Sequence, residues 1–204
     1  MIALAEPKPV PKIPRKVPSY LIYEIMDGKP LYYKDYRSVL KGTKTFEEIM
    51  GASSLQSLII YYLNKVLYSF IEDEQFYIFS SESGVHINHR SNLANDIALY
   101  DPKLLTPDKI SKKYADVPPT IVFEIDIDAE LEDMTETGYI YNKTRKLLDF
   151  GTEKVLWVLT AAQVVIVATK ERIETFDWNR DIEIMDGFSF NIGEYLKKKG
   201  VELE

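Results

Sequence analysis

Between Leu55 and Phe70 the apolar residues fall at Leu55, Leu58, Ile59, Tyr62, Leu63, Val66, Leu67 and Phe70. Held for several turns, that spacing gives a helix one continuous apolar stripe. Such a helix gains most of its stability by laying the stripe against another apolar surface. The runs Thr120–Asp126, Val155–Leu159 and Val164–Ala168 supply one. They are short and rich in β-branched and apolar residues, so they read as buried strands. Together these segments specify an α/β (mixed α+β) protein, with a central mixed β-sheet flanked by helices.

The remaining elements follow from local signals. Tyr20–Ile25 and Pro30–Lys34 flank Asp27-Gly28, which predicts an N-terminal β-hairpin with a loop longer than two residues. Thr45 with Glu48, and Ser53 with Gln56, have capping-box spacing, and Gly51 marks a break between them. Phe76–Phe79, Val85–Ile87 and Asp96–Tyr100 read as separate short strands divided by turns. A polar, lysine-bearing stretch, Pro102–Asp116, precedes Pro118-Pro119. Residues 137–150 have helical periodicity, with Gly151 where a helix stops. Ile173–Phe176 reads as a further strand, and Asn191–Lys199 as a terminal helix with lysines in its last turn.

Composition narrows the chemistry. The chain has 204 residues, which fits one domain over residues 19–204. Residues 1–18 alternate proline with lysine and arginine and read as an extended arm. That arm is either a solvated tail or a segment that packs on a second subunit or reaches a phosphate backbone. There is no cysteine, so disulfides and thiolate metal sites are excluded. His86 and His89 are the only histidines, and no Gly-x-Ser-x-Gly elbow is present. No apolar run is long enough for a membrane span, and the expected compartment is the cytoplasm. The net charge of −7 argues against strong non-specific DNA binding, though not against a local basic groove.

The candidate chemistry starts at Pro119–Asp126. Alternation along a strand puts Val122, Glu124 and Asp126 on one face and Ile121, Phe123 and Ile125 on the other. Carboxylates on a buried face need compensation. A divalent cation provides it, and so does a lysine or arginine partner or solvent at the strand end. Asp96 opens a short apolar strand upstream. On the helix at 137–150, Ile140, Tyr141, Thr144, Leu147 and Leu148 form an apolar arc. Lys143 borders that arc and Lys146 points away from it. Glu47 and Glu48 either approach this site or, as the helix dipole favours, serve a helix N-terminus.

The order Asp96-Ile-Ala, then Pro118-Pro-Thr-Ile-Val-Phe-Glu124-Ile, then Lys143-x3-Leu147-x3-Gly151 with Val155 and Trp157 resembles the Uma-type endonuclease family of the PD-(D/E)XK superfamily. The likeness spans about residues 20–170. Asn95 stands where that family has proline, and Leu147 where it has tyrosine. Asp126 occupies the position of the wider superfamily's lysine, and Ile125-Asp-Ile-Asp128 replaces a Ser-Pro segment. The resemblance implies a restriction-endonuclease-like fold and hydrolysis of DNA. It implies that Asp96, Glu124 and Asp126 hold Mg²⁺ or Mn²⁺ and that the catalytic lysine has moved to Lys143. A homodimer is compatible with it. The competing expectation is a catalytically inactive nuclease fold that serves as a binding or dimerisation module. The net charge, Asn95 and Asp126 favour that alternative.

Overall fold

The computed structural model describes residues 16–72 and 74–202. The expected arm lies outside these residues except for Lys16–Pro18, which lead into one 3-10 turn at Ser19–Leu21. Strands β1 (Ile22–Met26) and β2 (Lys29–Tyr33) form the N-terminal hairpin. Met26 pairs directly with Lys29, so the loop is two residues, shorter than expected. Asp27 and Gly28 take φ of 54° and 78°, the left-handed pair whose twist matches the strands. A short helix α1 (Tyr36–Leu40) follows.

Helix α2 (Ser54–Leu67) begins where Ser53 accepts the Gln56 amide. The Thr45–Glu48 pair caps no helix: Glu48 accepts the Thr45 amide at 2.6 Å within a turn that ends before Gly51. Next come β3 (Tyr77–Asn88), β4 (Ser91–Tyr100), β5 (Ile121–Ile125) and β6 (Ala129–Glu130). Helix α3 (Glu136–Phe150) crosses to β7 (Lys154–Leu159), then β8 (Val164–Ala168) and β9 (Ile173–Asp177). A separate hairpin, β10 (Ile182–Met185) with β11 (Phe188–Phe190), precedes helix α4 (Ile192–Lys198).

The first nine strands make one mixed sheet, ordered β6-β2-β1-β4-β5-β7-β8-β9, with β3 beside β4. β5 and β7 run parallel, as the intervening helix requires. Two sequence readings change. Tyr77–Phe79 and Val85–Ile87 belong to one strand, bulged where Ser81 and Glu82 take left-handed φ of 69° and 56°. The turn Asp186-Gly187, left-handed at 49° and 79°, makes a second hairpin that was not read from the sequence.

The helices lie on opposite faces of the sheet. Ile59, Leu63 and Leu67 of α2 pack with Phe123, Ile125 and Leu156. Leu147 and Leu148 of α3 pack with Val122, Val155 and Trp157. Each fully buried leucine or isoleucine contributes about 1.5–3 kcal/mol. No helix among the described residues is long and apolar enough to cross a membrane.

Candidate active site

Strand β4 forks the sheet. Along one edge it pairs with β3. Along the other, Ile97–Leu99 pair with β5, while Asn92 meets Ile25 of β1. β1 and β5 thus diverge, and the backbone of Ala94 faces the gap between them. A buried amide and carbonyl there need partners. Charged side chains supply them. The Ala94 amide donates to Glu24 Oε2 at 3.4 Å, and the Ala94 carbonyl accepts from Lys143 Nζ at 2.7 Å.

Lys143 occupies the centre of this fork. Its ammonium donates to Glu124 Oε2 at 3.0 Å and lies 3.3 Å from Glu24 Oε2. The rings of Tyr23, Tyr139 and Trp157 stand 5.6–5.8 Å from Nζ, within cation–π range. Tyr139 donates its hydroxyl to Glu24 Oε1 at 2.6 Å, and Trp157 donates its indole N–H to Thr144 Oγ1 at 2.9 Å. Lys143 is 0 % exposed, Glu124 2 % and Glu24 3 %. The arc of α3 is therefore centred differently from the sequence reading. Tyr139, Lys143, Thr144, Leu147 and Leu148 are buried, while Tyr141 is 54 % exposed.

Asp96 and Glu124 are brought together. Ile97 pairs with Phe123, so the alternation on β4 and β5 sets both carboxylates on the α3 face. The Ile125 amide donates to Asp96 Oδ2 at 2.6 Å. Burial pushes Asp96 up to about 6 against the pull of that hydrogen bond and of Lys143, and the charges of Asp128 and Glu82 push it further. Burial also holds Glu124 well above the usual carboxylate range, opposed by Lys143 and reinforced by Asp96 and Glu24. For Lys143, burial would depress the ammonium. The carboxylates of Glu124 and Glu24 overcome that and hold it above its ordinary value. Glu124 Oε1 is buried with no hydrogen-bond partner.

Asp126 does not join this group. Its backbone turns left-handed at φ 60°, which ends the alternation of β5. Its two oxygens accept the amide and hydroxyl of Thr160, each at 2.7 Å, so it caps the turn after β7. Lys146 also stays outside the fork and bonds Asp27 at 2.5 Å on the hairpin turn.

Three acids near the fork were not assigned from the sequence. Glu24 arrives because a bulge between Ile22 and Glu24 resets the face of β1. The signal available was an acid inside an aromatic strand run beside the Asp-Gly turn. Glu82 arrives through the β3 bulge and accepts the Tyr33 hydroxyl at 3.3 Å. Asp128 is held by the Gln56 side-chain amide at 3.0 Å, which also donates to the Ile125 carbonyl at 2.8 Å. Among the described residues, no set of three or more Asp, Glu or His side chains is gathered closely enough to hold a metal ion by itself.

No protein-family profile matches the chain, and no curated protein matches it. A solved structure does: a crystal structure from Anabaena variabilis ATCC 29413, described as "a putative nuclease belonging to DUF820". The two share 15 % sequence identity over 85 % of this chain and 89 % of the other, with a TM-score of 0.57. At that identity the likeness is one of architecture, and the chain has a nuclease-like fold: a large mixed sheet with helices on both faces.

Proposed function

We propose that the chain is a divalent-cation-dependent DNA phosphodiesterase, as the resemblance to Uma-type endonucleases implies, with residues 19–204 acting as one domain. The solved neighbour is described as a nuclease, which supports this reading. The observation that carries it is Glu124 Oε1, a buried carboxylate oxygen without a partner, beside Asp96. Paired oxygen donors of this kind suit Mg²⁺ or Mn²⁺, with water or backbone carbonyls completing the shell. Asp126 leaves the ligand set because Thr160 engages both its oxygens.

Asp96 and Glu124 would hold the cation, and its chemistry, when bound, would be to polarise the phosphodiester and lower the pKa of a water. The chain's own residues prepare that chemistry. Ile125 anchors Asp96 through one oxygen and leaves the other. Lys143 engages Glu124 through Oε2 and leaves Oε1 uncommitted. Lys143 thereby acts through Glu124, as a positioning residue, rather than on the phosphate. Plasmid nicking with Mg²⁺ or Mn²⁺, together with calorimetry, tests the reading. Wild type should nick DNA and bind Mn²⁺, and Glu124→Gln should lose both. Equal Mn²⁺ affinity in the two proteins removes Glu124 from the site.

One observation favours the alternative. Lys143 is 0 % exposed and enclosed by three aromatic rings, so its ammonium meets no solvent. On that reading the charges only satisfy the forked backbone, and the chain is an inactive nuclease fold used for binding. Absence of nicking with either metal would select it.

A further inference from the structure

A groove of about 670 Å³ opens beside the fork, between β1, the end of β3 and the segment Lys113–Asp116. That volume lies within the roughly 300–1,000 Å³ of small-ligand sites. Its walls include Tyr23, His86, Asn92, Lys113 and Tyr114, together with the carboxylates of Glu24 and Asp116. The segment is pinned along β3: His86 donates its amide to the Ala115 carbonyl at 2.7 Å, and the Ala115 amide donates to Gly84 at 3.1 Å. Tyr114 is seated on Gly84 so closely that a Cβ there would lie 2.3 Å from the ring. The residue is nonetheless 54 % exposed. It is therefore a platform held by backbone, with its surface open and little ordering entropy left to lose.

We propose that this groove binds an unpaired nucleotide of a single-stranded segment. An open, fixed aromatic ring stacks any base, and an adjacent lysine meets its phosphate. Lys113 stands next to Tyr114 in the groove. His86 Nδ1 and Asn92 Oδ1 pair at 2.6 Å, which leaves the Asn92 amide N–H groups to meet a base edge. Tyr23 links groove to fork, since its ring is 5.8 Å from Lys143 Nζ. The lysine-bearing stretch Pro102–Asp116 thus gains a use in a chain of net charge −7. The inference rests on the nuclease reading only for the choice of nucleic acid as ligand.

The probe is a fluorescein-labelled oligothymidylate titrated in EDTA, so that cleavage plays no part. Wild type should bind it. Tyr114→Ala and Gly84→Ala, which unseats the ring, should each weaken binding by about tenfold or more. Lys113→Glu should weaken it and flatten its salt dependence. Unchanged melting temperatures for Tyr114→Ala and Lys113→Glu separate binding from folding. Binding without any cleavage in Mg²⁺ upholds the groove while the nuclease reading fails. Cleavage with normal binding by every groove variant overturns the groove alone. No binding of the single strand by wild type, or equal binding of it by wild type and Tyr114→Ala, also overturns it.

Discussion

Strand β5 carries different chemistry on its two faces. Ile121, Phe123 and Ile125 enter an apolar cluster with α2. On the other face Val122 packs against α3, and one position further along Glu124 meets Lys143. Both faces are buried, yet they are held by different physics. The α2 face gains from area removed from water, which tolerates exchange of one apolar side chain for another of similar size. The α3 face holds charges whose desolvation is offset only while each partner is present.

The largest expected effect comes from removing the shared cation. Lys143→Ala should cost about 3–5 kcal/mol in urea denaturation, the scale of leaving a buried charge unpaired. The double variant Lys143→Met with Glu124→Gln should recover part of that loss. A Lys143→Ala protein as stable as wild type would erase the contrast between the faces.

Leu63→Ala opens a cavity on the α2 face, where Leu63 is fully buried. A loss of about 2–5 kcal/mol is expected. Because the two sites lie on opposite faces, Leu63→Ala and Lys143→Ala should combine additively to within about 0.5 kcal/mol. A larger interaction energy would mean that the sheet transmits strain between its faces.

Acidity sharpens the comparison, because the buried carboxylates displaced upward, Asp96 and Glu124, lie on the α3 face. Burial lifts Asp96 to about 6 in the folded chain, from about 3.9 when unfolded. The folded state thus keeps a proton that the unfolded state has lost. The stabilisation is fully present below about pH 4 and is lost as pH rises through about 6, amounting to roughly 2–3 kcal/mol. Glu124 is displaced in the same direction. Melting temperature should fall across that window, and Asp96→Asn should flatten the fall. A flat wild-type profile would show that Asp96 is not buried as described.

The smallest effect is expected outside the fork. Lys146 pairs with Asp27, whose side chain is 66 % exposed. Lys146→Ala should cost less than about 1 kcal/mol, and it should leave any nicking activity near wild type. A loss comparable to that of Lys143→Ala would move the site away from the fork.

Much of the fold was legible in local pattern. The stripe on α2, the alternation on β5 and the stop at Gly151 each depend on a repeat within one segment. Turns were less secure. Asp27-Gly28 and Asp186-Gly187 use the same left-handed pair, and the residues around them do not by themselves set a two-residue loop apart from a longer one. The β3 bulge has the sequence pattern of a turn, because Ser81 and Glu82 break the alternation as a loop would. On α3 the helical period fits Tyr141 to the apolar arc, whereas Tyr139 is the buried ring. Both tyrosines are apolar enough for either face, and only contact with Trp157 and Glu24 selects one.

The site divides along the same line. The sequence by itself determined that Glu124 shares a face with Val122 and that Lys143 sits near the sheet-facing side of its helix, because side-chain direction follows from the period of each element. Only the tertiary structure decided which acids meet that lysine. Glu24 is 100 or more residues from both Glu124 and Lys143 along the chain, and it reaches them through a bulge in β1 and the divergence of β1 from β5. Asp126 departs because one left-handed residue ends its strand. Such partnerships depend on register and divergence between distant strands, which no local repeat records.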